Sequence, residues 1–428
     1  MNTTFIWFFL FLMGLGVPIF VTLVLAPTLW AVITEKYIYL NMIPQQLFRG
    51  VSNFPLAAIP LFILAGEIMN VGGITDRLVK LANSLVGHLR GGLAHVNIFS
   101  SLLFAGLTGS AVADTSAIGS MLIPAMEKNG YSKTYAAAVT CASSVIGPII
   151  PPSIMMVIYS YVMNVSVAGL FLAGIIPGLI MGIGLMFVNH ILSGKQNISI
   201  SNNKFSIKTV SIGIKDAFFP LLTPFIIIGG ILFGVFTPTE AAAVAVLYAF
   251  ILSVIIMNVL KLSDMYRVLL RSAILSSSIL LVLSTATFFA TIVSQSQISV
   301  KLSKYIFDVT DNPLILLFLI NLFLLLAGMI LDASPAILIL GPVFAPTMAE
   351  MGVHPLHFAI IMCVNLTVGL ATPPVGLVLF VASGITKIPI FTIGKAMLPF
   401  IAVHIFIIFL ITYFPSVPMT LPKIFGFY

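Results

Sequence analysis

The sequence predicts an all-α polytopic membrane protein, built as an inverted repeat with two re-entrant helical hairpins. Three observations lead there. Of 428 residues, 60% are hydrophobic and only 7% are charged, whereas a soluble domain carries about 25% charged residues. Charge-free runs cover 1–34, 134–194, 217–239, 272–300, 351–386 and 396–422, and a helix needs roughly 20 apolar residues to cross the hydrocarbon core. A set of Pro, Gly, Met and Cys positions also recurs at one fixed spacing through the chain.

Taken in order, residues 4–33 read as one retained helix. They lack the basic start of a cleaved signal peptide, since Glu35 and Lys36 are the first charges, and the apolar run exceeds a signal core. Shorter apolar runs at 50–66, 91–113, 241–260, 312–331 and 333–349 bring the expectation to about ten to twelve helical segments. The runs are continuous rather than alternating, which excludes a β-barrel. Residues 76–90, opening Asp76-Arg77-Leu78-Val79-Lys80, read as an amphipathic helix lying in the membrane interface. Cys141 and Cys363 both fall in apolar runs, against a disulfide framework or a cysteine zinc site. The net charge of +7 fits basic cytoplasmic loops and implies no nucleic-acid partner.

The repeat is explicit. Pro124, Met126, Gly130, Ala137, Cys141, Gly147, Pro151 and Pro152 recur 222 positions later as Pro346, Met348, Gly352, Ala359, Cys363, Gly369, Pro373 and Pro374. Upstream, a slip of four residues between the copies would bring Asp114 onto Asp332. Arg77, Lys80, Arg90, Lys128 and Lys133 flank the first copy, while residues 305–386 contain no Lys or Arg. Basic loops prefer the cytoplasm, so the copies face opposite sides of the membrane. Residues 193–216, with Lys195, Lys204, Lys208 and Lys215, read as the main cytoplasmic loop. The expected division is 1–90, N-terminal scaffold helices and interfacial arm; 91–192, first repeat with hairpin 1; 193–300, linker, scaffold helices and second arm; 301–392, second repeat with hairpin 2; and 393–428, the C-terminal helix.

Within each copy, Gly, Ser, Thr and Asp interrupt an apolar stretch, and a proline pair follows. Such backbone leaves amides and carbonyls bare at mid-depth, which is tolerated only inside protein or a wet cavity. Bare carbonyls suit a cation, and helix N-termini suit an anion. A first sodium site is therefore expected from Ser110, Asp114, Ser143, Ser144 and Gly147, and a second from Gly328, Asp332, Asn365, Gly369 and Thr372. Sodium is the only metal expected. Ser110, Thr115, Pro151, Pro152, Pro373 and Pro374 are the expected substrate seat. The acids keep two readings: work in an ion site, or helix capping, by Asp114 for a helix beginning at Thr115 and by Asp332 for the one containing Pro335. Thr237-Pro238-Thr239-Glu240 reads as a capping box with Pro at the first helical position. His354 and His357 read as loop or interfacial residues, because no acid or cysteine completes a metal set.

Four segments resemble the large membrane subunit of tripartite ATP-independent periplasmic (TRAP) transporters: Gly109–Thr115, Ile149–Ser153, Phe236–Ala242 and Ala371–Gly376. The resemblance covers essentially the whole chain. It implies an elevator-type, sodium-coupled importer of an organic acid anion, such as a C4-dicarboxylate or sialic acid, in a bacterial inner membrane. It also implies a small four-helix membrane (Q) subunit, here a separate chain, and a periplasmic substrate-binding (P) protein, with no ATP site or other cofactor. The rival of the same architecture is a stand-alone sodium symporter for dicarboxylate or citrate; a channel is a third option. An intramembrane aspartyl protease fails on pattern, because Val-Ala-Asp114 and Ile-Leu-Asp332 lack its Gly-x-Gly-Asp signature.

Overall fold

Residues 4–195, 205–297 and 312–428 of the computed structural model are described, and every regular element among them is helical. Among the described residues, eight helices are long and apolar enough to cross a membrane. Large apolar side chains such as Ile183, Phe187, Phe225 and Phe233 point outward, while Ser143, Ser144, Asn189 and Asn365 are fully buried. That inside-out polarity belongs to a lipid-solvated protein.

The N-terminal run is not one helix. It divides into α1 (Thr4–Gly14) and α2 (Ile19–Ile33), which fold back on each other. Gly16 takes a positive φ in the turn between them, and Pro18 precedes the first residue of α2; the sequence expectation missed this turn. There follow α3 (Ile38–Arg49) and α4 (Ala58–Val71), then α5 (Ile74–Val86), which buries Ile74, Leu78, Leu81 and Ala82 along one face. This confirms the amphipathic reading of that segment.

The first copy comprises α6 (Gly92–Thr108), α7 (Ala111–Lys128), α8 (Lys133–Ser144) and α9 (Ile154–Met163), and α10 (Val167–Lys195) follows. Then come α11 (Ile207–Leu232), α12 (Pro238–Phe250) and α13 (Leu262–Gln295). Most of the anticipated 193–216 loop is therefore helix at the ends of α10 and α11, and 196–204 lie outside the described residues. The capping box at α12 is formed: Glu240 N–H donates to Thr237 Oγ1, and Thr237 N–H donates to Glu240 Oε2 at 2.8 Å.

The second copy comprises α14 (Pro313–Ile330), α15 (Ala333–Glu350), α16 (Pro355–Gly369) and α17 (Leu377–Thr386), followed by α18 (Ile390–Tyr413) and α19 (Ser416–Ile424). The beginning of the expected second unit, 301–311, lies outside the described residues. Helices α7 and α8 start 222 positions before α15 and α16, and the left-handed Gly130 recurs as Gly352.

Packing between the copies is reciprocal. Helix α9 of the first lies on α15 of the second, and α17 of the second lies on α7 of the first. Gly341 faces Met163 Sδ at 3.3 Å, and Gly119 faces Ile385 Cδ1 at 3.4 Å, both measured from an added Cβ. Each partner in one contact is the 222-residue counterpart of its partner in the other. The two copies therefore exchange roles across an approximate two-fold relation. Helices α18 and α10 dock in the same exchanged way on α8 and α16. Helices α2, α3 and α4 gather around α13, which also touches α15, and α12 packs on α4 and α11.

Candidate functional site

The chain breaks between α6 and α7 for a local reason. Gly109 takes φ +59°, which closes α6, and Ser110 is extended at φ −136°. Ser110 Oγ accepts from Ala113 N–H at 3.4 Å, making Ser110 the N-cap of α7. The expectation that Asp114 caps a helix beginning at Thr115 is thus corrected: Asp114 stands in the first turn, and Thr115 Oγ1 donates to Ala111 O.

The second break follows α8. After Ser144 the backbone turns through Gly147 and a cis Pro151–Pro152 bond to Ser153. Ser153 caps α9, with its Oγ accepting from Met156 N–H at 3.3 Å and donating to Pro148 O at 2.5 Å. The two breaks touch. A Cβ on Gly109 would lie 2.4 Å from Pro152 O and 3.1 Å from Ser153 Cα, and one on Gly147 would lie 3.3 Å from Ser110 O. Glycine is required at 109 both for this approach and for its backbone angle.

Four helix ends therefore meet: the C-termini of α6 and α8 and the N-termini of α7 and α9. The former turn their partial negative charge, and the latter their partial positive charge, toward one place. The arrangement can hold a cation and an anion side by side.

Beneath it runs a buried polar network. Ser101 Oγ donates to Asp114 Oδ2 at 2.8 Å and lies 3.0 Å from Ser143 Oγ. Ser143 Oγ donates to Asn97 Oδ1 at 3.1 Å, and Asn97 Nδ2 donates to Thr140 Oγ1 at 2.7 Å. Asp114 Oδ1 is buried without a hydrogen-bond partner. Asn97, Ser101 and Ser153 escaped the sequence reading. Ser153 alone had a signal there, standing directly after the proline pair.

The second copy repeats the geometry with different chemistry. Asp332 caps α15 through Oδ1, which accepts from Ala333 N–H at 2.8 Å, so its capping reading holds. Its counterpart at the constant spacing of 222 is Ser110; the four-residue slip pairing Asp114 with Asp332 is corrected, because the helix starts and caps keep one register. Gly328 and Gly369 pack backbone on backbone, and Gly376 N–H donates to Met329 O at 3.2 Å. Pro373–Pro374 is cis, like its counterpart. Asn365, in the place of Ser143, donates from Nδ2 to Asn321 Oδ1 at 2.7 Å and to Ile361 O at 2.8 Å. Asn321 Nδ2 in turn donates to Thr412 Oγ1 at 3.0 Å. Asn365 Oδ1 has no partner either, so it and Asp114 Oδ1 are hard oxygens free to meet an alkali cation. Thr372 Oγ1 is turned onto Val368 O, and Ser144 Oγ onto Cys141 O.

Two side features are structural. His354 Nδ1 caps α16, and His357 Nε2 lies 2.8 Å from Ile411 O. Cys141 and Cys363 are buried and free.

Residues 5–417 match the family model of the tripartite ATP-independent periplasmic transporter, DctM component. The chain is similar to the sialic acid TRAP transporter large permease protein SiaM of Vibrio cholerae, at 39% identity over 96% of each chain. It is similar to the C4-dicarboxylate TRAP transporter large permease protein DctM of Pseudomonas aeruginosa, at 38% over 89% of each. It also matches the isethionate TRAP transporter permease protein DctMQ of Oleidesulfovibrio alaskensis, at 37% over 96% of this chain and 65% of that one. In fold it resembles the Alcanivorax borkumensis YdaH transporter, with a TM-score of 0.64 at 15% identity, covering 88% of this chain and 89% of that one.

Proposed function

Since the chain belongs to the family of TRAP transporter large permeases, we propose that it imports an organic acid anion across the bacterial inner membrane, driven by sodium entering with it. The observation that carries this reading is the meeting of four helix ends at Gly109–Ser110 and Gly147–Ser153. The serine-capped N-termini of α7 and α9 seat the carboxylate, and hydroxyls and backbone amides supply the donors. The carbonyl ends of α6 and α8, with Ser110, Asp114, Ser143, Ser144 and Gly147 around them, hold one sodium ion. Asn365, Gly369, Gly328, Thr372 and the Asp332 region hold a second.

The difference between the caps favours the anion in the first copy. Ser110 caps α7 with a neutral hydroxyl, whereas the Asp332 carboxylate sits on the N-terminus of α15 itself and disfavours a second carboxylate there. Thr115, Pro151 and Pro152 shape the first seat; Pro373 and Pro374 shape the sodium side of the second. Because ion and anion bind one arrangement, each strengthens the other's binding.

The moving body is α6–α10 with α14–α18, sliding along α2–α4 and α11–α13 as an elevator. The basic flanks of the first copy favour a cytoplasmic turn between α7 and α8, and the lack of Lys and Arg in 305–386 favours an outer position for its counterpart. A small membrane subunit completes the fixed frame, and a secreted binding protein delivers the substrate.

The test is uptake by the reconstituted complex at graded sodium, with sialic acid, succinate and isethionate as candidate substrates. Ser110→Ala and Ser153→Ala should raise the substrate KM. Asp114→Asn and Asn365→Ala should raise the sodium concentration for half-maximal rate. Sodium dependence unchanged in both of the latter variants would refute the ion-site assignment.

A further inference from the structure

Opposite the first tip stands an acid that this reading leaves unused. Glu67 lies on α4, and the preceding Gly66 approaches the end of α6 so closely that an added Cβ would be 3.5 Å from Leu107 O and from Thr108 Cα. Between the two surfaces is a cavity of about 90 Å³, lined by Glu67, Asn70, Thr108 and Ser110, with Leu275 and Ile279 of α13 behind them. It has room for several waters. Glu67 Oε2 and Thr108 Oγ1 are both buried there without a hydrogen-bond partner, and Thr108 is only 8% exposed.

An acid within an apolar helix is costly and is retained where it works on a pathway. Glu67 lies one turn before the end of α4, which leads through Gly72 and Gly73 into α5, with Arg77 and Lys80. Arg77 Nη1 donates to Asp216 O at the basic start of α11, 3.3 Å away. Those basic flanks mark this end of α4 as cytoplasmic.

We propose that Glu67 is an anion-release residue: a carboxylate fixed on α4 that opposes the substrate's charge when the first tip stands at the cytoplasmic end, weakening binding on that side only. The proposal rests on the reading that this tip seats the anion. Its logic is the difference between what moves and what stays. The serine caps of α7 and α9 travel with the tip and attract the anion wherever it stands. Glu67 belongs to the frame, so its repulsion acts at one end of the stroke alone. A lower affinity at one end of the stroke favours unloading there, and a fixed like charge supplies that difference without altering the seat.

The experiment uses the complete transporter reconstituted in one orientation, with N-acetylneuraminate and succinate as probes. KM is measured from outside by uptake and from inside by efflux. Glu67→Gln should lower the internal KM about tenfold, the effect of removing one like charge several ångströms away in a partly hydrated site, and leave the external KM unchanged. Glu67→Asp, which withdraws the carboxylate by one methylene, should give a smaller shift in the same direction. Ser110→Ala should raise both KM values. An unshifted internal KM in both Glu67 variants, with Ser110→Ala still raising both values, overturns the release proposal and spares the seat. If Ser110→Ala moves neither value, the seat falls and the release proposal falls with it.

Discussion

A Gly369→Ala substitution places a methyl group between two backbones. The added Cβ would lie 2.4 Å from the Gly328 carbonyl carbon, 2.5 Å from its Cα and 2.9 Å from its oxygen. These are main-chain atoms, so no side chain can swing aside; α14 must retreat from α16 by roughly 1 Å to restore contact distance. Overpacking of this kind costs about 1–3 kcal/mol, and the better helix propensity of Ala offsets at most about 1 kcal/mol. A net cost of 1–2 kcal/mol is a factor of about 5–30 in the population holding the native arrangement. Because that contact brings Gly328 against the end of α16, the loss should appear as a five- to thirtyfold rise in half-saturating sodium, with substrate KM at saturating sodium little changed. Initial uptake rates in proteoliposomes over a sodium series measure it. Gly384→Ala in α17 is the control, since nothing lies within 4 Å of its Cβ. A Gly369→Ala protein that inserts normally and keeps the sodium response of Gly384→Ala would refute the claim that this contact builds an ion site.

Ser110→Asp should give the first tip the chemistry of the second: the carboxylate would cap α7 in the anion's place, abolishing uptake while sodium-dependent thermal stabilisation in detergent persists. Cys141 and Cys363, both fully buried, should resist maleimide labelling in the folded protein and react fully once it is unfolded. Burial, and secondarily the nearby Lys423, hold the His354 ring below its ordinary pKa. On acidification through about 6.5 the unfolded chain therefore takes up its proton first, and stability present at higher pH is lost. His354→Gln should flatten the fall in melting temperature between pH 7 and 5.5; a fall as steep as that of the natural protein would count against the assignment.

The sequence determined by itself whatever depends on covalent spacing and on single-residue conformational limits. Long charge-free runs required membrane helices, since nothing else buries their backbone in lipid. Gly109, Gly147 and the two proline pairs broke helices wherever the chain folded, and a constant spacing of 222 carried the repeat. Tertiary structure decided the rest, because it turned on what stands opposite. Gly16 and Pro18 could have been tolerated within one long helix, and only packing of α1 on α2 made them a turn. Ser110 and Asp114 are both good N-caps, and only the backbone angles at 109 and 110 chose the serine, which restored Asp332 to the common register. The partnership of Ser101 with Ser143 and that of Asn321 with Asn365 join residues 42 and 44 positions apart, and Glu67 meets Thr108 across a cavity between separate helices. A hydroxyl, an amide or a carboxylate carries no sign along the chain of which partner it will face. That information exists only once helices distant in sequence are brought side by side.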